Sequence, residues 1–276
     1  MKTFDFNRFV KLLKWTFYYN LPVLTKIASF FFVIFLVDFF LEVIPFLPFQ
    51  SDSLQNELSN KADFVIGCFF TFMIFMQSSI LNNVRNKQQT IDFLTLPASN
   101  FEKFISRIMF VTLYYTGAFV VGLIAADVLQ WLFSLLFFPF DQTGFVITHI
   151  QFFSNTTIGN SFIESTDLLS WLLGFTLFLG VIYIHSVYIL GGTFFRKQAW
   201  VLTSITMFFL TIFIASVLDK SDFNINLADM SSSGLEIIVS IFDVIIVGLI
   251  AFNYWLAYRI FTHIQVINNK WFNLVW

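Results

Sequence analysis

The chain reads as an all-α integral membrane protein: six transmembrane helices behind an N-terminal amphipathic interfacial helix, both termini cytoplasmic. Three observations predict this. Of its 276 residues 58% are hydrophobic and only 12% charged, about half the charged fraction of an ordinary soluble domain. Apolar runs of about 20 residues recur along the chain, and each can cross a ~30 Å hydrocarbon core as a helix. Basic residues collect in alternate loops, the signature of the positive-inside rule.

The first element is helical over 4–20. Arg8, Lys11 and Lys14 fall on one face while Phe6, Phe9, Val10, Leu13 and Phe17 crowd the other. A basic amphipathic helix of this kind lies in the headgroup plane of the inner leaflet, and Asn20-Leu21-Pro22 is expected to end it, because a residue before proline leaves the helical region. The spans follow at about 27–46, 64–84, 104–127, 168–195, 200–218 and 236–260. The apolar run behind the third continues to Phe138, but Asp127 lies about 20 residues beyond Arg107, where a helix rising 1.5 Å per residue emerges. Trp131 then fits an interfacial aromatic belt. Thr166 and Asp167 can cap the fourth span, and Ser233-x-x-Glu236 reads as a capping box opening the sixth. All six spans belong to one helical domain, residues 1–276.

Thirteen of the fifteen basic residues fall before the first span, between the second and third, between the fourth and fifth, or after the sixth, counting Arg107 and Arg259 at the adjoining span ends. Only Lys61 and Lys220 lie on the opposite side, together with most of the acids. The basic side is therefore cytoplasmic, and the expected location is a cell inner membrane.

The polar interval 85–107, RNKQQTIDFLTLPASNFEKFISR, stands out in the first half. Pro97 breaks the chain after Leu96; Ser99 is placed as a helix N-cap, with Glu102 at N3 returning its hydrogen bond. Phe101, Phe104, Ile105 and Ile108 continue at helical spacing into the third span. Two short helical pieces joined by a rigid bend are expected. On the residues alone, this serves either to start a membrane helix cleanly or to present a docking element to a partner.

Leu96, Pro97, Ala98, Ser99, Glu102 and Arg107 sit in a pattern that resembles the first cytoplasmic loop of ABC-2-type transporter permeases. Asn100 departs from the basic residue usual there. The resemblance covers about a dozen residues of sequence, and it extends to the expected architecture of an amphipathic N-terminal helix, six spans and both termini inside. It implies that the chain is a permease subunit moving a substrate with ATP hydrolysed by a separate ATP-binding subunit. It implies further that 90–103 is the loop on which that subunit docks, through Ile91, Asp92, Phe93, Leu94, Leu96, Pro97, Ser99, Glu102 and Lys103. Phe93 and Leu94 would be the apolar anchors, Asp92 and Lys103 the rim charges. Assembly as a homodimer, or as a heterodimer with a second permease, follows from the same resemblance. A six-span scaffold or sensor without transport activity has the same topology.

Other chemistries find little footing. No Gly-x-x-x-x-Gly-Lys-[Ser/Thr] occurs, so the chain is not expected to hydrolyse ATP itself, and no other enzymatic constellation is evident. His149, His185 and His263 are far apart, and Cys68 is the sole cysteine, so neither a metal site nor a disulfide is expected. No cofactor and no nucleic-acid partner are expected; membrane lipids are. The 42 phenylalanines fit the compositional drift of a membrane chain. Asp38 and Glu42, four apart on the first span, and Asp243 on the sixth are intramembrane acids, and an unpaired carboxylate in hydrocarbon is expensive. They are either a polar lining or solvated carboxyls near the outer interface.

Overall fold

The computed structural model describes residues 4–43, 54–81, 87–137, 168–195, 197–220 and 232–263. Within them the elements are all helical: α1 (Phe6–Val43), α2 (Leu54–Gln77), α3 (Lys87–Thr95), α4 (Asn100–Met109), α5 (Tyr115–Phe137), α6 (Leu168–Phe194), α7 (Ala199–Lys220) and α8 (Ser232–Thr262). A π-helical turn, Phe110–Tyr114, joins α4 to α5 without a break. Five stretches are long and apolar enough to cross a membrane: Phe6–Asp38, Asn100–Phe133, Trp171–Phe194, Ala199–Val217 and Gly234–Thr262. This is a multi-pass helical membrane protein.

Two expected boundaries are corrected. α1 does not stop at Pro22 but runs through it as one 38-residue helix. Membrane helices tolerate an internal proline because neighbouring side chains re-satisfy backbone groups. On the neighbouring turns Asn20 Nδ2 donates to the Thr16 carbonyl and Thr25 Oγ1 to the Pro22 carbonyl, side-chain bonds to the helix's own backbone that do not involve the Tyr18 carbonyl whose usual donor Pro22 lacks. The N-terminal turns are thus the lower part of a long helix, not a separate element. Their inward face is Phe9, Leu12, Thr16, Asn20 and Leu24, and Phe6, assigned to the apolar face, is exposed.

The second boundary is the end of the second span, placed at 84. α2 ends at Gln77, and its apolar part, Phe64–Gln77, is shorter than the other spans. Ser78 and Ser79 turn their hydroxyls onto the carbonyls of Phe75 and Met76, the local competition by which serine ends a helix. Beyond the expected third span, 104–127, the helical run continues to Phe137. The starts of α6 and α8 agree with expectation within a few residues; Thr166 and Asp167 lie outside the described residues.

The described residues form two compact units. One draws on Asn7–Met73 and Met109–Ile163, the other on Met1–Phe6, Ile74–Ile108 and Glu164–Trp276. In the first, contacts between α1 and α5 advance together, from Phe17 with Tyr114 through Ala28 with Gly122 to the Phe35 carbonyl, which accepts from Gln130 Nε2 at 3.1 Å. The two helices therefore run parallel. α2 opposes both, with Phe72 near Phe31 and Phe64 near Phe35. The core is a stack of rings: Phe119 lies within 6 Å of Phe31, Phe35, Phe69 and Phe72. Such pairs add edge-to-face attraction to their apolar burial. Much of the phenylalanine content here is packing.

In the second unit α6 and α8 run parallel and α7 antiparallel to α6. Thr176 of α6 meets Asp243 of α8 at 2.7 Å and, further along both helices, His185 Nδ1 meets the Tyr254 hydroxyl at 2.6 Å and Asn253 Nδ2 donates to Ser186 Oγ at 3.0 Å, while Tyr188 meets Ser204 of α7. Gly191 and Gly192 permit the close approach around α6. A Cβ on Gly191 would collide with the Thr203 side chain, and one on Gly192 would lie 2.6 Å from the Ser78 carbonyl oxygen. Small residues let membrane helices approach in this way. Gln198, between α6 and α7, holds φ at 47°, the left-handed conformation in which a turn reverses the chain.

Candidate functional site: the α3–α4 element

Of the interval 85–107 the described residues, 87–107, form two helices joined by a bend, and this geometry is built by side chains bonding to backbone. Leu96 leaves α3, and its carbonyl accepts from the Ala98 N–H at 2.8 Å with Pro97 between them. A three-residue turn of this kind needs a central φ that the proline ring already imposes. The expected capping box then closes reciprocally. The Glu102 N–H donates to Ser99 Oγ at 3.2 Å, and Glu102 Oε2 accepts from the Ser99 N–H at 2.8 Å.

Glu102 does more than cap. Its other oxygen, Oε1, accepts from the Asp5 N–H at 2.8 Å, and Phe4 packs edge-on against Phe101. The residues just ahead of α1 are thereby tied to the first turn of α4. The side chain is 0% exposed, so a carboxylate that looked like a surface cap is an internal clamp. Two backbone donors aimed at one carboxylate are charge-assisted bonds, stronger than neutral ones.

The C-terminal end of α3 is finished from two directions. Thr95 Oγ1 contacts the carbonyls of Ile91 and Asp92, and Lys103 Nζ donates to the Leu94 carbonyl at 2.9 Å. A cation there satisfies an orphan carbonyl and opposes the helix dipole. Phe93 is the hub: Arg107 lies over its ring at 4.7 Å, Lys103 at 5.6 Å, and Phe261 of α8 meets it edge-on at 6.0 Å. Phe104 adds contacts to Tyr258 and Phe261.

This locking corrects part of the expected contact set. Phe93, expected as a partner anchor, is 5% exposed because α3 turns its ring towards Phe261 of α8. Lys103, expected as a rim charge, and Glu102 are buried in the bonds above. The residues left outward are Ile91, Asp92, Leu94 and Pro97, with Leu96 and Ser99 half-buried. Phe101, which the docking set omitted, is 48% exposed. Its spacing from Phe104 marked it as apolar helix face, and that signal could not tell a core position from a presented one.

The intramembrane acids belong to separate places. Asp38 is half-buried on α1; Glu42 lies on the same helix, its side chain outside the described residues. Asp243 is buried on α8, and its Oδ1 accepts from Thr176 Oγ1 of α6 at 2.7 Å, while Oδ2 makes no hydrogen bond among the described residues. Among the described residues no group of three His, Cys, Asp or Glu could hold a metal ion. His185 is taken by Tyr254, and His263 Nδ1 lies 2.7 Å from the Arg259 carbonyl at the end of α8.

Comparison with protein-family models, with curated proteins and with solved structures finds no match for this chain. The functional reading therefore rests on the geometry of α3–α4 and on the resemblance of its sequence.

Proposed function

We propose that the chain is the membrane-spanning subunit of an ABC-2-type transporter, driven by a separate ATP-binding subunit that docks on α3. The observation that carries the reading is the bonded bend of α3–α4. A force applied to α3 passes through the Phe93 hub and the Ser99–Glu102 box into α4, and α4 continues without a break towards α5. An element that only began a membrane helix would need the cap but not a second helix locked beside it.

On this reading six helices cross an inner membrane, α2 included, and both termini are cytoplasmic. Two such subunits, alike or different, would frame the substrate path. The docking anchors are Ile91 and Leu94, 36% and 38% exposed and one turn apart on α3. A few apolar anchors within a polar rim carry most of the energy of an interface.

Purification from the native membrane tests this. A P-loop ATPase should accompany the wild-type chain, and Ile91→Ala with Leu94→Ala should release it while the membrane subunit stays folded. If the ATPase stays bound to the double variant, docking lies elsewhere. If none accompanies the wild type, a non-transporting scaffold takes the place of the permease.

A further inference from the structure

In the α1–α2–α5 unit, α1 and α5 leave an open groove of about 280 Å³ between them. Phe17, Leu21, Leu24 and Ala28 line one wall, and Leu113 and Tyr114 stand at one end of the other. Those last two belong to the π-helical turn. A π turn inserts an extra residue into the helix and frequently marks a functional position.

The depth of the groove follows from α1. Trp15, Tyr18 and Tyr19 are exposed there, Trp15 stacked on Tyr19 at 5.1 Å. Exposed Trp and Tyr of a membrane helix gather at headgroup level. From this belt to Asp38 the helix rises roughly 30 Å, one hydrocarbon thickness. The groove thus begins at the inner interface and reaches about 16 Å into the acyl region.

Charge stands one turn ahead of it on α1. Lys14 precedes Phe17 by three residues and shares its helical face, and Lys11 stands one turn further out; both are exposed. Neither makes a hydrogen bond or ion pair to the described residues. An apolar slot opening beneath two free ammonium groups at headgroup depth matches one ligand chemistry: an acyl chain beneath a negative phosphate.

We infer that the α1–α5 groove is a binding site for an anionic phospholipid of the inner leaflet, its acyl chain against Phe17–Ala28 and the π turn, its phosphate on Lys11 and Lys14. This does not depend on the transporter reading.

Native mass spectrometry of the full chain, titrated with phosphatidylglycerol or phosphatidylcholine, tests it. The wild type should retain phosphatidylglycerol preferentially. Lys11→Gln and Lys14→Gln should each weaken phosphatidylglycerol about fivefold, a lysine near an anionic surface being worth about that factor, and leave phosphatidylcholine unchanged. Gly117 lines the groove and has nothing within 4 Å of an added Cβ. Gly117→Leu should therefore fill the slot and weaken both lipids at unchanged helical content. Leu113→Trp, at an exposed position of the π turn, supplies a second filling variant should Gly117→Leu fail to fold. Equal retention of both lipids by the wild type overturns the proposal, as does a preference that survives the lysine substitutions. If filling the groove splits a dimer and leaves lipid retention intact, it is an interface between copies and the proposal falls.

Discussion

Phe93 shows how a residue's role turns on which way a short helix faces. Its ring is enclosed by Arg107, Lys103 and Phe261, while its neighbour Leu94 points outward. Truncating a buried phenylalanine removes both its transfer energy and its packing, at a cost of about 3–5 kcal/mol. Phe93→Ala should therefore loosen α3 from α8, seen as a lower melting temperature and as proteolysis within 87–103. Leu94→Ala should change stability by about 0.5 kcal/mol or less and act only on partner binding. Equal stability losses for the two would mean that α3 does not hold the orientation described. The sequence alone could not separate these residues, since Ile91, Phe93 and Leu94 are all apolar within one nine-residue helix. The choice between them is made by α8, more than 150 residues away.

At the scale of elements, what was legible was whatever depends on neighbours in sequence. Ser99 and Glu102 are three apart, and their reciprocal bonds formed as read; Pro97 sits at the expected break. The α1 boundary was misplaced because an isolated proline disfavours a helix, whereas one among packed membrane helices is accommodated. Glycine spacing is silent in the same way, and the structure makes its consequences specific. A Cβ on Gly122 of α5 would lie 2.5 Å from the Ala28 carbonyl oxygen and 3.1 Å from Phe31 Cβ. A Cβ on Gly117, one and a half turns earlier, meets nothing within 4 Å. Gly122→Ala should push α5 off α1 and lower the melting temperature, an overpacking cost of about 1–3 kcal/mol. Gly117→Ala should be neutral or slightly stabilising, since alanine is favoured over glycine within a helix by up to about 1 kcal/mol. Matching responses from the two would remove the close α1–α5 contact from the account.

For the whole molecule, charge and backbone direction make one joint prediction. In each unit the first and third long helices run parallel and the second opposes them, so within each unit the backbone direction alternates from one long helix to the next. The basic residues choose the side: α3–α4 and the turn at Lys197 are cytoplasmic if positive loops stay inside. Helix α2 tests this hardest, because its apolar part, Phe64–Gln77, spans only about 20 Å at 1.5 Å per residue, against ~30 Å of hydrocarbon. Its polar first half, with Asn56, Glu57, Asn60, Lys61 and Asp63, would have to enter or thin the outer leaflet. Single cysteines in a Cys68→Ser background decide the matter. Positions Ser53, Asn155 and Ser232 should react with an impermeant thiol reagent in intact cells. Gln88 and Lys197, both exposed, should react only after the membrane is opened. Were Ser53 protected while Asn155 reacts, α2 would be a re-entrant or buried helix and five helices would cross. The N-terminus and the α3–α4 element would then lie on opposite sides of the membrane. The hydrogen bond from the Asp5 N–H to Glu102 holds the start of the chain beside α4, so labelling at Ser53 together with Asn155 is the expected outcome.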